Sequence, residues 1–343
     1  MGSIGSDTAE IPVIDIRPSN THAPRQLLEA ATRNGFVFVE NSGLDAKDVD
    51  HMFDLSKAFF SSSIDIKQEV AISSNKAGAN VGWLSRGVEK LDPATQKRPD
   101  GSLFRALNIA EPFDGDLQQP MPKPLEAHAQ TILEFQNRCL ELCQTILELF
   151  AVALDLEKDW FTARHSQPGK RSGTVFRLLY YPKVETYEHG VDIRAGAHSD
   201  FGSITLLFQQ HGQPGLEIKT PSGEWAPVPV DPHSNTYGTS IDETMQQHPL
   251  PILVNIGDLL DDWTGGLLKS TVHRVIFPKG GGEDRYSMAY FCQPLDDALL
   301  EAVPSKLVQA HVERTGRSGT RGGQVITARD HLMERLAATY TLK

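Results

Sequence analysis

The stretch GAHSDFGSIT, residues 196–205, places a histidine and an aspartate two positions apart, just before a run that is typical of a β-strand. In an extended chain the side chains at positions i and i+2 point the same way, so His198 and Asp200 can reach one object from one side. Gly196 and Gly202 lie two residues outside this pair, and we expect them to leave room beside the object. An imidazole and a carboxylate in this arrangement indicate a metal ion.

The surrounding sequence predicts a β-rich core. Between Thr174 and Leu295 short strand-like runs alternate with Gly, Pro, Asp and Asn. The runs are TVFRLLYY, SITLLFQQ, GLEIKT, WAPVPV, ILVNIG, STVHRVIF and RYSMAYF. Strands at this density favour a sandwich or a jelly-roll barrel. The polar segment 231–249 interrupts the series between two strands that a short turn would ordinarily join, and we interpret it as an inserted surface loop.

The two ends of the chain add helices to this core. IPVIDI (11–16) and GFVFVEN (35–41) read as strands, separated by a helix that ends at the Asn34-Gly35 stop signal. Apolar residues at three-and-four spacing predict a long amphipathic helix between Ile132 and Leu154, packed as a spine against a sheet. Residues 311–324 read as a flexible connector, and 326–340 as a closing amphipathic helix. We predict one structural domain with four parts: a flexible N-terminus (1–10), an α/β region (11–120), the helical spine and jelly-roll core (121–300), and a C-terminal connector and helix (301–343).

Composition narrows the class of protein. The chain has 343 residues, of which 39% are hydrophobic and 22% are charged, as expected for a soluble globular protein. Its net charge of −11 argues against a nucleic-acid partner, and no apolar run is long enough to span a membrane. The start MGSIGSDTAEIPVID does not resemble a secretory signal, so we expect a cytoplasmic protein. Cys139, Cys143 and Cys292 form an odd set, which predicts buried free thiols in a reducing compartment.

His273 is the candidate for the third metal ligand. Most of the twelve histidines lie in polar surroundings, but His273 lies in the strand-like STVHRVIFP, on one face with Val275 and Phe277. A lone histidine in a strand is more often a core residue, so the combination with His198 and Asp200 carries the argument. Two histidines and one carboxylate leave positions open on iron(II), whereas structural zinc takes four protein ligands. We predict these three residues as the catalytic iron(II) ligands.

A second constellation follows in RYSMAYF, residues 285–291. Alternation places Arg285 and Ser287 on one face, with Ala289 and Phe291. A buried arginine with a nearby hydroxyl offers forked donors for a carboxylate, a geometry for which arginine is preferred over lysine. The alternative is an internal ion pair with Asp284, Asp258 or another acid.

These motifs resemble the iron(II) and 2-oxoglutarate dependent dioxygenases of the isopenicillin N synthase type. The resemblance rests on HSD, NIGDLL (255–260), STVHRVIFP and RYSMAYF, and it extends to IPVIDI, GFVFVENSGL and AFFSSS in the first half of the chain. It implies a mainly β fold with flanking helices, a double-stranded β-helix or jelly-roll barrel. It also implies iron(II), 2-oxoglutarate and O2 as cofactors, with release of succinate and CO2. The far carboxylate of 2-oxoglutarate is then expected on Arg285 and Ser287, with Tyr181 nearby.

Within that family the chain is most similar to the fungal thymine dioxygenases, through RLLYYP (177–182), RAGAHSDFGSITLLFQ (194–209) and RYSMAYFCQP (285–294). By this resemblance Arg177 and Phe291 line the substrate pocket, and alternation adds Leu179. Where the thymine enzymes have tyrosine after HSD, this chain has Phe201. The position of Leu179 is often an asparagine in the wider family, where it helps to hold the cosubstrate.

Three functions stay open at this point. The first is an oxygenase that hydroxylates a small aromatic or heteroaromatic molecule in fungal secondary metabolism, favoured by Phe201 and Phe291 beside a buried arginine. The second is a pyrimidine methyl hydroxylase of thymine salvage. The third is a barrel that binds metal or ligand without turnover, although such a binder has no need of an oxo-acid clamp. The sequence predicts a small-molecule substrate and leaves the oligomeric state open.

Overall fold

A computed structural model describes residues 9–72, 80–87, 89, 91, 104–188, 192–234, 249–278, 282–317 and 325–339. Twelve strands form two sheets. The strands are β1 (Val13–Asp15), β2 (Phe36–Glu40), β3 (Gly82–Leu84), β4 (Arg105–Ala110), β5 (Val175–Tyr181), β6 (Ile193–His198), β7 (Ile204–Gln209), β8 (Leu216–Lys219), β9 (Trp225–Pro227), β10 (Ile252–Ile256), β11 (His273–Ile276) and β12 (Arg285–Cys292).

The larger sheet has eight strands in the order β1-β2-β10-β7-β12-β5-β4-β3, and the smaller has four in the order β6-β11-β8-β9. All the strand pairs are antiparallel except β1 with β2. From β5 to β12 the chain passes repeatedly between the two sheets, as it does in a jelly roll, and only β8 and β9 are successive strands of one sheet. The predicted β fold with flanking helices is confirmed.

In the described part of the chain, seven α-helices flank the sheets. They are α1 (Ala23–Arg33), α2 (Ala46–Ser61), α3 (Ile64–Glu69), α4 (Ala129–Ala153), α5 (Asp258–Trp263), α6 (Lys306–Thr315) and α7 (Ala328–Thr339). The long spine helix predicted from the three-and-four spacing is α4. Its Phe135 packs against Phe176 of β5 and Phe208 of β7, with ring centroids 5.3 and 5.5 Å apart. The helix therefore covers one face of the larger sheet and leaves the other face to the barrel interior.

The alternation of β12 separates two environments. Arg285, Ser287, Ala289 and Phe291 line the cavity inside the barrel. Tyr286, Met288, Tyr290 and Cys292 lie in the apolar core on the opposite side of the sheet. Both faces are those predicted from the sequence. All three cysteines are buried free thiols, as predicted.

The chain departs from the sequence predictions at both ends. Residues 311–315 belong to helix α6 and not to a flexible connector, and the helix ends at Gly316, whose φ of +70° is the left-handed stop conformation. Near the start, Ala9 already donates a backbone hydrogen bond to the carbonyl of Pro227. Within the flexible N-terminus predicted for 1–10, Ala9 is thus linked to β9, and 1–8 lie outside the described residues.

The inserted loop predicted at 231–249 falls largely on residues 235–248, which lie outside the described residues. The strands that flank it, β9 and β10, belong to different sheets. The prediction that a short turn would ordinarily join them is therefore wrong, because this connection passes from one sheet to the other. Among the helices that the structure describes, none has the length and apolar character needed to cross a bilayer.

Candidate active site

The three predicted metal ligands meet at one end of the barrel. His198 ends β6 and His273 begins β11, and the two residues are direct partners in the antiparallel pair. Asp200 lies in the turn that follows β6. One ligand atom from each residue lies within 4.8 Å of the others, and the Asp200 Oδ1 atom is 4.0 Å from His198 Nε2 and 3.7 Å from His273 Nε2. Three donor atoms at these separations can share one metal ion.

Hydrogen bonds to the backbone orient both imidazoles. His198 Nδ1 lies 2.8 Å from the carbonyl oxygen of Gly196, and His273 Nδ1 lies 3.1 Å from that of Thr271. Each Nδ1 must carry the proton to donate to a carbonyl, which leaves the Nε2 lone pair for a metal. The backbone carbonyl of Gly196 thus orients the imidazole of His198, a role that was not predicted from the sequence.

Two side chains hold the second carboxylate oxygen of Asp200. The Thr205 hydroxyl and the Asn255 amide each donate to Oδ2 at 2.7 Å. Because Oδ2 is occupied, Oδ1 is the atom turned toward the histidines. Neither residue was predicted. Asn255 is the first residue of the NIGDLL motif. Its hydrogen bond to Asp200 depends on the pairing of β10 with β7, which the sequence does not reveal.

The turn that carries Asp200 is fixed by close backbone approach. The Asp258 amide donates to the carbonyl of Asp200 at 2.7 Å, and a Cβ on Gly257 would lie only 2.2 Å from the carbonyl oxygen of Gly202. A Cβ on Gly202 itself would lie 2.6 Å from the carbonyl oxygen of Cys292. The backbone of β12 fills the space beside Gly202. The prediction that Gly202 leaves room beside the metal is therefore wrong.

The protonation states suit a cation. Burial, and then the neighbouring His273, lowers the pKa of His198 to about 4, so its imidazole is neutral at pH 7. Burial raises the pKa of Asp200, but the two imidazoles and the bonds from Asn255 and Thr205 outweigh it, so the net pKa is lowered. A neutral His198 imidazole, the Nε2 atom of His273 and one carboxylate therefore face the same point.

Arg285 lies deeper in the same cavity. Only 2% of its surface is exposed, and it donates to the carbonyl oxygen of Gln213 at 3.1 Å and to the Ser287 hydroxyl at 3.3 Å. Its guanidinium carbon lies 4.9 Å from the centre of the Tyr181 ring. In the described part of the chain no carboxylate lies within 4 Å of this guanidinium. Among the residues that the structure describes, this buried cation thus has no carboxylate partner.

The two acids named as alternative ion-pair partners of Arg285, Asp284 and Asp258, are each bound to other groups. Asp284 accepts from the Tyr180 hydroxyl at 3.0 Å and from the backbone amide of Lys183 at 2.7 Å. Asp258 pairs with Arg335 of α7. A buried charge without a counter-charge is costly, so this arrangement fits a site that receives an anionic ligand.

Arg177 lies on the cavity wall with a partner that the sequence did not reveal. Its Nη1 is 3.0 Å from a carboxylate oxygen of the buried Glu89, and its Nε donates to Asn108 at 2.7 Å. The guanidinium carbon lies 5.3 Å from the centre of the Phe291 ring. The pair is neutral overall, so this wall offers polar atoms but no net charge. Glu89 is 88 residues away in the chain and has no motif around it.

Apolar groups complete the cavity. Phe201, Leu179 and Phe291 line it, as predicted, together with Leu332 and Leu336 of α7, which were not predicted as site residues. The guanidinium of Arg335 lies 5.1 Å from the centre of the Phe201 ring while it pairs with Asp258. The closing helix therefore forms part of the cavity wall.

Comparison with known proteins agrees with this geometry. A family model described as the 2OG-Fe(II) oxygenase superfamily matches residues 172–294, and one described as the N-terminal region of non-haem dioxygenases in morphine synthesis matches residues 11–130. A UPF0676 protein of Schizosaccharomyces pombe is 33% identical over 99% of this chain and 94% of its own length. The proline hydroxylase buaE of Petromyces alliaceus is 28% identical over 92% of this chain and 93% of its own.

Among solved structures, the full-length thymine dioxygenase of Neurospora crassa in complex with alpha-KG superposes with a TM-score of 0.76, at 27% identity over 98% of both chains. A further structure of that enzyme, with alpha-KG and thymine, gives a TM-score of 0.74 at 26% identity, again over 98% of both chains. The chain belongs to the 2OG-Fe(II) oxygenase superfamily and is a 2-oxoglutarate dependent non-haem iron dioxygenase. It uses iron(II), 2-oxoglutarate and O2, and the donor set of His198, Asp200 and His273 fits the metal.

Proposed function

We propose that His198, Asp200 and His273 hold the iron(II), that Arg285, Ser287 and Tyr181 receive the far carboxylate of 2-oxoglutarate, and that the enzyme hydroxylates a small, uncharged aromatic or heteroaromatic molecule. The observation that carries the assignment is a buried arginine with no carboxylate partner among the described residues, in the same cavity as two imidazoles and a carboxylate. Either feature alone has an ordinary structural explanation. Together they match one metal and one dicarboxylate.

Iron(II) and 2-oxoglutarate, when bound, supply the O2-dependent oxidation of a C–H bond with release of succinate and CO2. The chain contributes binding and orientation. Thr205 and Asn255 keep one oxygen of Asp200 away from the metal, and the backbone carbonyls of Gly196 and Thr271 fix both imidazoles. Leu332 and Leu336 of α7 limit access of water to the cavity.

The substrate class follows from the cavity wall. Arg177 is neutralised by Glu89, so a substrate carboxylate gains no unpaired cation there. The rings of Phe201 and Phe291 and the side chains of Leu179 and Leu332 favour a flat apolar body. The polar atoms of the Arg177 pair can meet one hydrogen-bonding edge of such a molecule. A role in fungal secondary metabolism is supported by relatives such as buaE.

The second candidate is a pyrimidine methyl hydroxylase. It is favoured by the superposition with the Neurospora crassa enzyme, whose structure contains thymine, and by a wall that offers both hydrogen-bond donors and acceptors. Phe201 weighs against it, because the thymine enzymes have tyrosine at this position. The third function left open by the sequence, a binder without turnover, does not agree with membership of the dioxygenase family.

A substrate panel separates these candidates. Purified enzyme with iron(II), ascorbate and 2-oxoglutarate is offered thymine, other pyrimidines, methyl arenes and aromatic polyketide aldehydes, and succinate formed above the substrate-free rate is measured. We expect an uncharged aromatic compound to stimulate succinate release and to gain one oxygen atom by mass spectrometry. Stimulation by thymine alone would support salvage. No stimulation by any uncharged ring would overturn the proposed substrate class.

The cosubstrate clamp has its own test in Arg285→Lys. A point charge replaces a planar fork, so binding of 2-oxoglutarate should weaken by about 1 to 3 kcal/mol, the scale of a charge-assisted hydrogen bond, while iron binding survives. The matched control is Arg274→Lys, because Arg274 lies on β11 but pairs with Glu217 at 2.7 Å outside the cavity. An unchanged Michaelis constant for 2-oxoglutarate in the Arg285 variant would contradict the clamp.

A further inference from the structure

A second arginine is buried behind the cosubstrate site. Arg194 of β6 is 2% exposed and does not line the cavity. Its Nη2 donates to the carbonyl oxygen of Glu283 at 2.5 Å, and its guanidinium carbon lies 4.9 Å from the centre of the Phe277 ring. Its Nε is buried without a hydrogen-bond partner. The space for the guanidinium exists because residue 282 is glycine, where a Cβ would lie 2.4 Å from Nη2.

Arg194 and Arg285 form a pair of like charges. Arg194 donates to the carbonyl oxygen of Glu283, two residues before Arg285, so the two arginines lie at the same end of the barrel. Burial, and then the positive charge of Arg285, lowers the pKa of Arg194 to about 10, so Arg194 remains charged at pH 7. The centre of the Tyr181 ring lies 4.9 Å from the guanidinium carbon of Arg285. Over the described ranges neither arginine has a carboxylate within ion-pair distance, and Asp284, whose charge also attracts Arg194, is bound to Tyr180 and Lys183.

Two neighbouring buried cations without an ion pair destabilise the empty protein, since each has lost water and each repels the other. Backbone carbonyls and the rings of Phe277 and Tyr181 offset only part of this cost. A single arginine would suffice for the hydrogen bonds to one carboxylate. The second charge therefore calls for an explanation in terms of the ligand.

We propose that Arg194 is a positioning residue for the cosubstrate: its charge, set behind Arg285 and Tyr181, strengthens the attraction for the far carboxylate and makes the site selective for a dianionic 2-oxo acid. Arg194 acts through space and through Arg285, without touching the ligand. This inference rests on the proposed role of Arg285 as the carboxylate clamp. It extends that role to a residue on the other sheet of the barrel.

The test compares Arg194→Gln with Arg194→Lys. Glutamine removes the charge and can still donate to Glu283, whereas lysine keeps the charge and loses the fork. Dissociation constants are measured by calorimetry without O2, in the presence of manganese(II), for 2-oxoglutarate and for 2-oxopentanoate, which lacks the far carboxylate. We expect glutamine to weaken 2-oxoglutarate binding about tenfold, the scale of unit charges several ångströms apart inside a protein. Binding of 2-oxopentanoate should stay within about twofold, because it carries no second charge.

The lysine variant should keep the preference for 2-oxoglutarate within about threefold of the native protein, since its charge remains. Arg274→Gln serves as control, because it removes a cation of β11 that is already paired with Glu217. A purely structural role predicts that glutamine weakens both oxo acids equally, and that result would overturn the proposal. If the glutamine variant does not fold, a preference lost in the lysine variant would overturn it equally.

The Arg285→Lys variant separates this inference from the clamp on which it rests. If Arg285→Lys weakens 2-oxoglutarate and Arg194→Gln does not, the clamp stands and the role of Arg194 fails. If neither change affects the preference between the two oxo acids, both fail. Melting temperatures of the metal-bound protein with and without N-oxalylglycine give a second readout: the shift caused by this dianion should be smaller in Arg194→Gln and unchanged in Arg274→Gln.

Discussion

The two faces of the larger sheet bury opposite kinds of side chain, and strand β12 shows both. Toward the barrel it presents Arg285 and Ser287, and toward α4 it presents Met288 and Tyr290. On the inner face a charged side chain either meets a neighbouring ion, as Arg177 meets Glu89, or is proposed to meet a metal or a cosubstrate, while the outer face is a packed apolar core. One strand thus serves two purposes because its side chains alternate. Function depends on the inner face and stability on the outer face.

The largest effect is expected from breaking the metal site. His198→Ala removes one of three ligands, and iron affinity should fall by more than about 100-fold, beyond the range for loss of a residue that only supports a ligand. Succinate formation should fall with it. Iron content by metal analysis and succinate release check this prediction. The control is His22→Ala, an exposed residue before α1 that makes no side-chain cap bond. Native iron content in the His198 variant would refute the ligand assignment.

The outer face should respond in the opposite way. Met288 is fully buried between the sheet and the helices, and Met288→Ala should lower the free energy of unfolding by about 2 to 5 kcal/mol through lost packing and a cavity. The Michaelis constant for 2-oxoglutarate should stay near its native value in the folded protein. Urea unfolding measures the loss of stability, and steady-state kinetics measure the Michaelis constant. Val152→Ala, at an exposed residue, is the control for both. A large rise in that constant would contradict the separation of the two faces.

The sequence predicted most of this separation. Alternation placed the residues of β12 on their correct faces, and the spacing of His198 and Asp200 with His273 selected three residues that the structure brings together. Local patterns were sufficient there because a strand imposes a period of two. The same reasoning could have predicted that helix α6 ends at Gly316, because glycine after a helical run is a stop signal.

Contacts between distant segments could not be predicted in this way. Glu89 neutralises Arg177 across 88 residues, and Asn255 supports Asp200 across 55. Arg194 reaches the carbonyl of Glu283, two residues before Arg285, only because β6 and β12 begin at the same end of the barrel. No local period encodes such pairs. They depend on how the two sheets pack, which a single sequence does not reveal.

A smaller effect is expected where the inner face supports a metal ligand without touching the metal. Asn255→Ala removes one of two donors to Asp200 Oδ2, and iron affinity should fall about 10- to 100-fold. Thr205→Val removes the other donor and should have a similar effect, with a larger loss in the double variant. Iron titration followed by succinate release measures this. Equal affinity in the native and Asn255 proteins would mean that Asp200 is oriented by the turn alone.

The smallest effect on the candidate active site is expected from an acid at the edge of the outer face, Glu111, which follows β4. Burial raises the pKa of Glu111 to about 7. The hydrogen bond from the Ser172 hydroxyl, at 2.5 Å, lowers this pKa in part, and the negative charge of Asp296 raises it further. The folded protein therefore holds this proton more tightly than the unfolded chain, whose carboxyl has its ordinary pKa near 4.5. As pH rises from about 4.5 to 7, the folded state loses stability relative to the unfolded state, and above about 7 the loss is constant.

Glu111→Gln keeps the neutral shape and removes the titration. Its free energy of unfolding should match that of the native protein at pH 4.5 and exceed it by about 3 kcal/mol at pH 8, because the pKa of Glu111 rises from 4.5 to about 7. Ser172→Ala should enlarge the native loss, because the hydroxyl bond favours the charged carboxylate. Urea unfolding at intervals from pH 4.5 to 8 gives all three curves. If the free energies of unfolding of the native and Glu111→Gln proteins change in parallel with pH, the outer face tolerates a charged carboxylate as readily as the inner face does. A rising difference would show instead that a buried charge is tolerated only where a ligand or an ion partner meets it.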